Sequence, residues 1–179
     1  MDITSISAGR ETEIVALFEA TFTASEGADE GALIGDFVRD LLASTPEADL
    51  RVFCVQEGGA LIGAGIFSRL HFPEDPRSVF ILSPMAVATD RQGQGVGQAL
   101  LRAALAALKS EGVDVAVTYG DPAYYGRVGF APITDAQARA PLPLSFPHGW
   151  LGQSLSQDPM PQLAGPSHCI PALNRPALW

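Results

Sequence analysis

The stretch Ala88-Thr89-Asp90-Arg91-Gln92-Gly93-Gln94-Gly95-Val96-Gly97-Gln98 decides how the rest of the chain is read. It follows an apolar run, Ser78 to Ala88, which suits a central buried strand. It precedes residues 97–109, where Leu101, Ala104, Leu105 and Leu108 make one apolar helical face and alanine is abundant. Gly93, Gly95 and Gly97 leave backbone N–H groups unshielded by side chains, and the helix that follows adds its own unpaired N–H groups and the positive end of its dipole. A strand-to-helix turn of this composition suits a phosphate or diphosphate. The candidate binding residues are Gln92, Gly93, Gln94, Gly95, Val96, Gly97 and Gln98.

Two familiar phosphate loops are excluded. A P-loop needs Lys and then Ser or Thr after its last glycine, whereas Gly97 is followed by Gln98 and Ala99. The dinucleotide fingerprint needs a third glycine at position 98, which is Gln98. A tight turn that merely uses glycine stays open as the plainer reading. Within the preceding strand, Pro84 has no N–H for a sheet ladder, and its apolar flanks argue against an edge, so a bulge is expected there.

Outward from this stretch the elements alternate. Residues 11–22 read as a helix with Ile14, Leu17, Phe18 and Phe22 on one stripe. Ser25 to Gly31 reads as an acidic, glycine-containing loop, and 32–43 as a second helix with Leu33, Phe37 and Leu41 inward. Residues 50–57 and 60–68 read as a hairpin about Gly58-Gly59. Residues 113–119 read as a strand, 122–127 as a short helix, and the chain after Gly129-Phe130 as a further strand. From about Ala140 onward, eight of the 14 prolines gather and charge nearly vanishes, while Trp150, Leu151, Leu155, Ile170, Leu173, Leu178 and Trp179 remain. Such a segment is too apolar for a solvated linker. Residues 1–139 are read as the core and 140–179 as an irregular arm packed on the same domain, with one or two strands.

Gln92-x-x-Gly95-x-Gly97 resembles the Q/R-x-x-G-x-G/A signature of the GCN5-related N-acetyltransferase (GNAT) family. The later run Tyr125-Gly126-Arg127-Val128-Gly129-Phe130 is similar to the family's Y-x-x-x-G-F segment, and Gly120-Asp121-Pro122-Ala123-Tyr124-Tyr125 resembles a YhbS-type bacterial subgroup. The likeness spans roughly residues 1–135 in element order. It implies an α/β (α+β) GNAT fold: a mixed, twisted sheet of six or seven strands, a splayed central strand pair, and helices on both faces. It implies acetyl-CoA as cosubstrate and no metal. Backbone groups of Met85, Ala86 and Val87 would pair with the pantetheine arm like an added strand. The reaction implied is direct attack of a primary amine on the thioester. Tyr125, or its neighbour Tyr124, would protonate the thiolate. Glu26, Glu30, His71, Ser83 and Asp121 are the candidates for acceptor contacts, none of them marked as a general base. The local stretch departs from the family's longer N-x-x-A-x-x-x-Y helix by placing Asp121-Pro122 where Asn is usual.

Composition bounds the rest. The 179 residues fit one domain, with 47% hydrophobic and 17% charged residues. A net charge of −9 disfavours nucleic acid as a partner and mildly favours a cationic acceptor. The two cysteines, Cys54 and Cys169, make no disulfide framework, so a cytoplasmic setting is expected. No secretory signal, membrane partner or metal-ligand spacing is visible. The expected partner is a small-molecule or peptide amine, and a homodimer is compatible. Two rivals share the glycine turn: a non-catalytic acyl-CoA sensor, and a nucleotide-phosphate binder.

Overall fold

The computed structural model describes residues 1–5, 8–156 and 159–179. Eight strands and four α-helices run in the order β1 (Asp2–Thr4), α1 (Glu11–Glu26), α2 (Ala28–Ser44), β2 (Leu50–Glu57), β3 (Ala60–His71), β4 (Val79–Val87), α3 (Val96–Ser110), β5 (Val115–Tyr119), α4 (Pro122–Tyr125), β6 (Ala131–Pro132), β7 (Trp150–Ser154) and β8 (His168–Cys169). Along the mixed sheet the order is β1-β2-β3-β4-β5-β7-β6, with β8 paired to β3. The chain forms two compact units, residues 1–67 with 84–104, and residues 68–83 with 105–179.

In the first unit, α1 and α2 bury Ile14, Phe18, Phe37, Val38 and Leu41. The stripe on α1 is rotated from the expected one: Val15 and Thr21 are buried, while Leu17 and Phe22 are only half-buried. The expected loop over 25–31 is absent. Gly27 alone, at φ +101°, separates the two helices, so Glu26 ends α1 and Glu30 lies in the first turn of α2. The physical reason is that Asp29 and Glu30 favour a helix N-terminus, and one residue with positive φ suffices to turn the chain. The β2–β3 turn uses Gly58 at φ +57° and Gly59 at φ +85°, the two positive angles a tight hairpin requires. Arg10 fastens that turn to α1, donating to Gly59 C=O, to Gln56 Oε1 and to Glu13. Strand β1 pairs antiparallel with β2, from Asp2↔Gln56 to Thr4↔Cys54. Three residues are too few to show a period, which is why the sequence did not announce β1 and suggested fewer strands than eight.

In the second unit, β5 is the buried centre. It pairs parallel with β4 from Val79↔Val115 to Leu82↔Thr118, and antiparallel with β7 from Val115↔Ser154 to Tyr119↔Trp150. The proline-rich segment thus supplies β7, which also takes β6 on its far edge. Prolines fall outside β7, which must donate on both sides. Trp150 is buried and donates Nε1–H to Ala138 C=O at 2.8 Å. Trp179 is also buried, donates to Leu173 C=O at 3.0 Å and stacks on Tyr119. Asp75 ties the segment down at another point, accepting Ala164 N–H while paired with Arg77. Trp179→Ala is expected to lower stability by about 3 kcal/mol, read as a fall in the thermal unfolding midpoint.

A candidate diphosphate cradle and a half-buried tyrosine

Strand β4 changes sides along its length. Ser78 C=O accepts from Asp114 and Val115 N–H, on the β5 side, whereas Ala88 N–H donates to Ile62 C=O, on the β3 side. Ten residues separate Ser78 from Ala88. A regular strand sends residues an even number apart to the same neighbour, so one extra residue lies between them. That is the signature of a bulge, and Pro84 sits inside the interval. Pairing with β5 ends at Leu82↔Thr118, and β4 continues to Val87. After the bulge, Ala86 and Ala88 face β3, and alternation turns the backbone of Met85 and Val87 to the other side. Val87 C=O is not free there: Gln92 Nε2–H reaches back to it at 3.0 Å.

The turn after β4 is held from its flanks. Arg91 donates to Ala88 C=O through its backbone and pairs with Glu57 at 3.2 Å through its side chain. Gln94 Nε2–H donates to Asp90 C=O at 3.1 Å. Gly93 has φ +73° and Gly95 has φ +81°, and no other residue type takes positive φ among the described residues. The sign of φ therefore alternates from 92 to 96, with Gln92 extended at φ −69° and ψ 155°. Such alternation points successive N–H groups into one concavity, a nest for an anion. A Cβ at Gly93 or Gly95 would meet nothing within 4 Å, so glycine is required by conformation and the face is open. The first helical bond of α3 runs from Ala99 N–H to Gly95 C=O. The amides from Gly95 to Gln98 precede it and have no acceptor within the helix. None of the amides from Gln92 to Gln98 shows a protein acceptor among the described residues.

In the second unit, Asp121 caps α4 by accepting Ala123 N–H at 2.9 Å, with Pro122 in the first turn. This short helix sets Tyr124 and Tyr125 edge to face, 5.1 Å apart, and Tyr125 meets Phe130 in the same way at 5.9 Å. Gly120 has no side chain because a Cβ there would lie 2.7 Å from the Tyr125 ring. Burial pushes the Tyr125 phenol up to about 12; Tyr124 and Asp121 push the same way, and the Thr118 side chain opposes them. Tyr124 is raised as well, by burial, with Arg127 opposing. Thr118 is buried and also lies 3.0 Å from Leu82 C=O. The sequence reading missed Thr118, because a lone Thr in Val-Ala-Val-Thr-Tyr does not announce what it is buried against.

The remaining candidates are scattered. Glu26 is exposed at the end of α1, and Glu30 is half-buried in α2. His71 is exposed at the end of β3, in register with His168 of β8. Ser83 is half-buried, just past the last residue paired with β5. Among the described residues no group of three His, Cys, Asp or Glu side chains is placed to hold a metal, and no helix is long and apolar enough to cross a membrane.

Comparison with known proteins gives the family and the fold. Residues 48–132 match an acetyltransferase (GNAT) domain. An N-acetyltransferase of Escherichia coli (strain K12), YjhQ, itself uncharacterized, is 32% identical over 139 residues, which are 75% of this chain and 76% of that protein. The chain belongs to the GNAT family. As a GNAT protein it is an acyltransferase of the N-acetylating type. Its fold matches that of YhbS from Escherichia coli, solved with CoA, at a TM-score of 0.82 and 24% identity, covering 97% of this chain and 92% of that one. It also matches a GNAT acetyltransferase of Brucella melitensis, solved with acetyl-CoA, at a TM-score of 0.74 and 25% identity over 97% of each chain.

Tyr125 carries a pH signature. Its folded value lies above that of an exposed phenol, so the neutral form is favoured by folding. The stabilising contribution is complete below about pH 10 and is lost as pH rises from there through about 12. In Tyr125→Phe the alkaline fall in stability, followed by chemical denaturation from pH 9 upward, is expected to be shallower.

Proposed function

We propose that this GNAT protein transfers an acetyl group from acetyl-CoA to a primary amine of a small molecule or peptide, by direct attack of the amine on the thioester. The observation that carries the reading is the open nest of unpartnered amides at Gly93–Gln98, bounded by two glycines of positive φ. Neutral amides, with a helix dipole behind them, allow a chain of net charge −9 to hold an anionic diphosphate without a cluster of cations. The amides of Gln92 to Gln98 would grip the diphosphate, and the backbone of Met85 and Val87 would pair with the pantetheine amides. Because Gln92 occupies Val87 C=O, that pairing would draw on Val87 N–H and the backbone groups of Met85. Met85 and Val87 N–H also suit the polarisation of a thioester carbonyl.

Acetyl-CoA, when bound, supplies an activated acetyl thioester whose sulfur leaves as the amine adds. Tyr125 Oη–H is assigned the proton that the sulfur needs. A phenol raised to about 12 stays protonated throughout the physiological range, so the donor is always loaded. Tyr124, edge-on to it, is assigned to line the same polar end. Ser83, His71, Asp121, Glu26 and Glu30 are proposed acceptor contacts, and the acidic surface favours an acceptor that arrives as a cation. Both cysteines are free thiols, consistent with a reducing, cytoplasmic setting.

Two variants test the reading. Gly95→Val places a β-branched residue where φ is +81°, with no clash to unfold the chain. It is expected to abolish CoA binding by calorimetry while the circular dichroism spectrum is retained; preserved affinity would refute the cradle. Tyr125→Phe is expected to lower turnover, measured by thiol release, about 100-fold, with acetyl-CoA affinity nearly unchanged. Unaltered turnover would move the acid role to Tyr124 or to water. Tight acetyl-CoA binding by wild type with no acetylation across an amine library would instead favour a sensor.

A further inference from the structure

Residues 133–149 join β6 to β7 and are tied down along their length. Phe146 N–H donates to Tyr119 Oη at 2.6 Å, Ser145 Oγ shares a hydrogen bond with the same hydroxyl at 3.2 Å, and Ser145 N–H donates to Trp179 C=O. Trp150 Nε1–H holds Ala138 C=O. With the ends of β6 and β7 this segment lines a cavity of about 560 Å³, a size that suits a small molecule. Ile133 and Trp150, both buried, and the half-buried Leu144 give it apolar walls, while Asp135 and His148, both exposed, stand at its mouth. Asp135 is fixed but not neutralised. Its Oδ1 accepts Ala140 N–H at 3.1 Å, and no cation pairs with it among the described residues. Phe146 follows in the same segment and is 59% exposed; apart from Met1 it is the one large apolar side chain left exposed among the described residues. Its backbone is pinned by Tyr119, and its ring meets His148 edge to face at 5.7 Å, so an aromatic rim is presented to solvent at a set place.

The cavity lies at the end of the sheet where α4 begins. Trp150 is in register with Tyr119, the last residue of β5, and Gly149 C=O accepts Gly120 N–H at 2.9 Å. The Tyr125 ring packs against the same Gly120. Tyr125 and the cavity therefore flank the C-terminal end of β5. We propose that this cavity receives the acceptor, and that the acceptor is a primary amine carried on an aromatic body. The ring enters between Ile133, Leu144 and Trp150 under the rim of Phe146, and Asp135 draws the ammonium to the mouth. The proposal rests on the acetyl-transfer reading above and names its substrate class. An aromatic ring matches apolar walls and an aromatic rim, and a carboxylate with no cation of its own favours an incoming one. An aliphatic diamine would answer Asp135 and leave the apolar walls wet, so it gains less from the same site. The transfer balances: the bound ammonium gives one proton to solvent, a C–N bond forms as the C–S bond breaks, and a second proton from the nitrogen is matched by the one the leaving sulfur takes up.

Two probes separate the ring from the charge: tryptamine, which has both, and putrescine, which has charge alone. Thiol release by the full chain at saturating acetyl-CoA is expected to give tryptamine a KM about tenfold below that of putrescine. Phe146→Ala and Asp135→Asn are each expected to raise the tryptamine KM about fivefold, with acetyl-CoA affinity by calorimetry as in wild type. Both variants are expected to fold, since Phe146 is exposed and an asparagine side-chain oxygen still accepts Ala140 N–H; the thermal unfolding midpoint checks this. A tryptamine KM no lower than that of putrescine overturns the proposal, and so does acetylation of putrescine without tryptamine. A tryptamine KM unmoved in both variants overturns it as well. Each of these leaves acetyl transfer standing. Wild type that releases no thiol with any amine overturns the acetyl-transfer reading and this assignment with it.

Discussion

Backbone handedness in five residues is the constraint on which the rest depends. Between Gln92 and Val96 the chain must alternate the sign of φ, and two of its positions take values that L side chains rarely adopt. The compensation is a set of amides left without acceptors, a state that a protein tolerates at an open surface and seldom elsewhere. The surrounding bonds make this local cost bearable. Gln92 closes the end of β4, Gln94 closes the turn on Asp90, and Arg91 anchors to Glu57. These side chains all bond to carbonyls or carboxylates, so they steady the loop and leave its donors unused. That division of labour explains the side-chain composition of the motif: glutamines supply donors for carbonyls, and glycines expose the amides.

The second constraint is the parity of β4. A strand can serve β5 with its first half and present Met85 and Val87 away from β3 with its second only if one residue is added in the middle. Proline suits that place because a bulge leaves one residue without a ladder partner and proline has no N–H to lose. Leu82 is the last residue of the pairing with β5, and the Thr118 hydroxyl donates to its carbonyl at 3.0 Å. One irregularity therefore accounts for the stretch of β4 beyond Leu82 that β5 does not pair.

Legibility in the sequence followed the strength of local periodicity and of local φ demands. The helix over 97–109 and the apolar strand before it were plain, because α3 buries Leu101, Ala104, Leu105 and Leu108 as its spacing implied. The hairpin at Gly58-Gly59 was plain for the same reason as the cradle: both need glycine at positive φ. What escaped had no local mark. A three-residue β1 is shorter than any period. The break between α1 and α2 is a single glycine amid residues of good helix propensity, so composition alone suggested a longer loop. The place of β7 between β5 and β6 is a matter of long-range pairing, and the prolines around it hid its strand character.

The candidate site shows the same divide. Gln92 and the glycines were legible as a group, but the direction of the Gln92 side chain was not; only coordinates show that it takes the Val87 carbonyl. Tyr125 was legible through its segment, and Gly120 explains why it can lie close to the strand end. Thr118 was not marked for a physical reason: a hydroxyl in a strand is ordinarily satisfied by its own backbone surroundings, and nothing in Val-Ala-Val-Thr-Tyr says that it is buried against the Leu82 carbonyl. Burial then changes the meaning of a common side chain. In water a threonine hydroxyl does little, since water satisfies it equally well. Inside a sheet the same hydroxyl must be answered by a fixed neighbour, and here that neighbour is the Leu82 carbonyl at 3.0 Å.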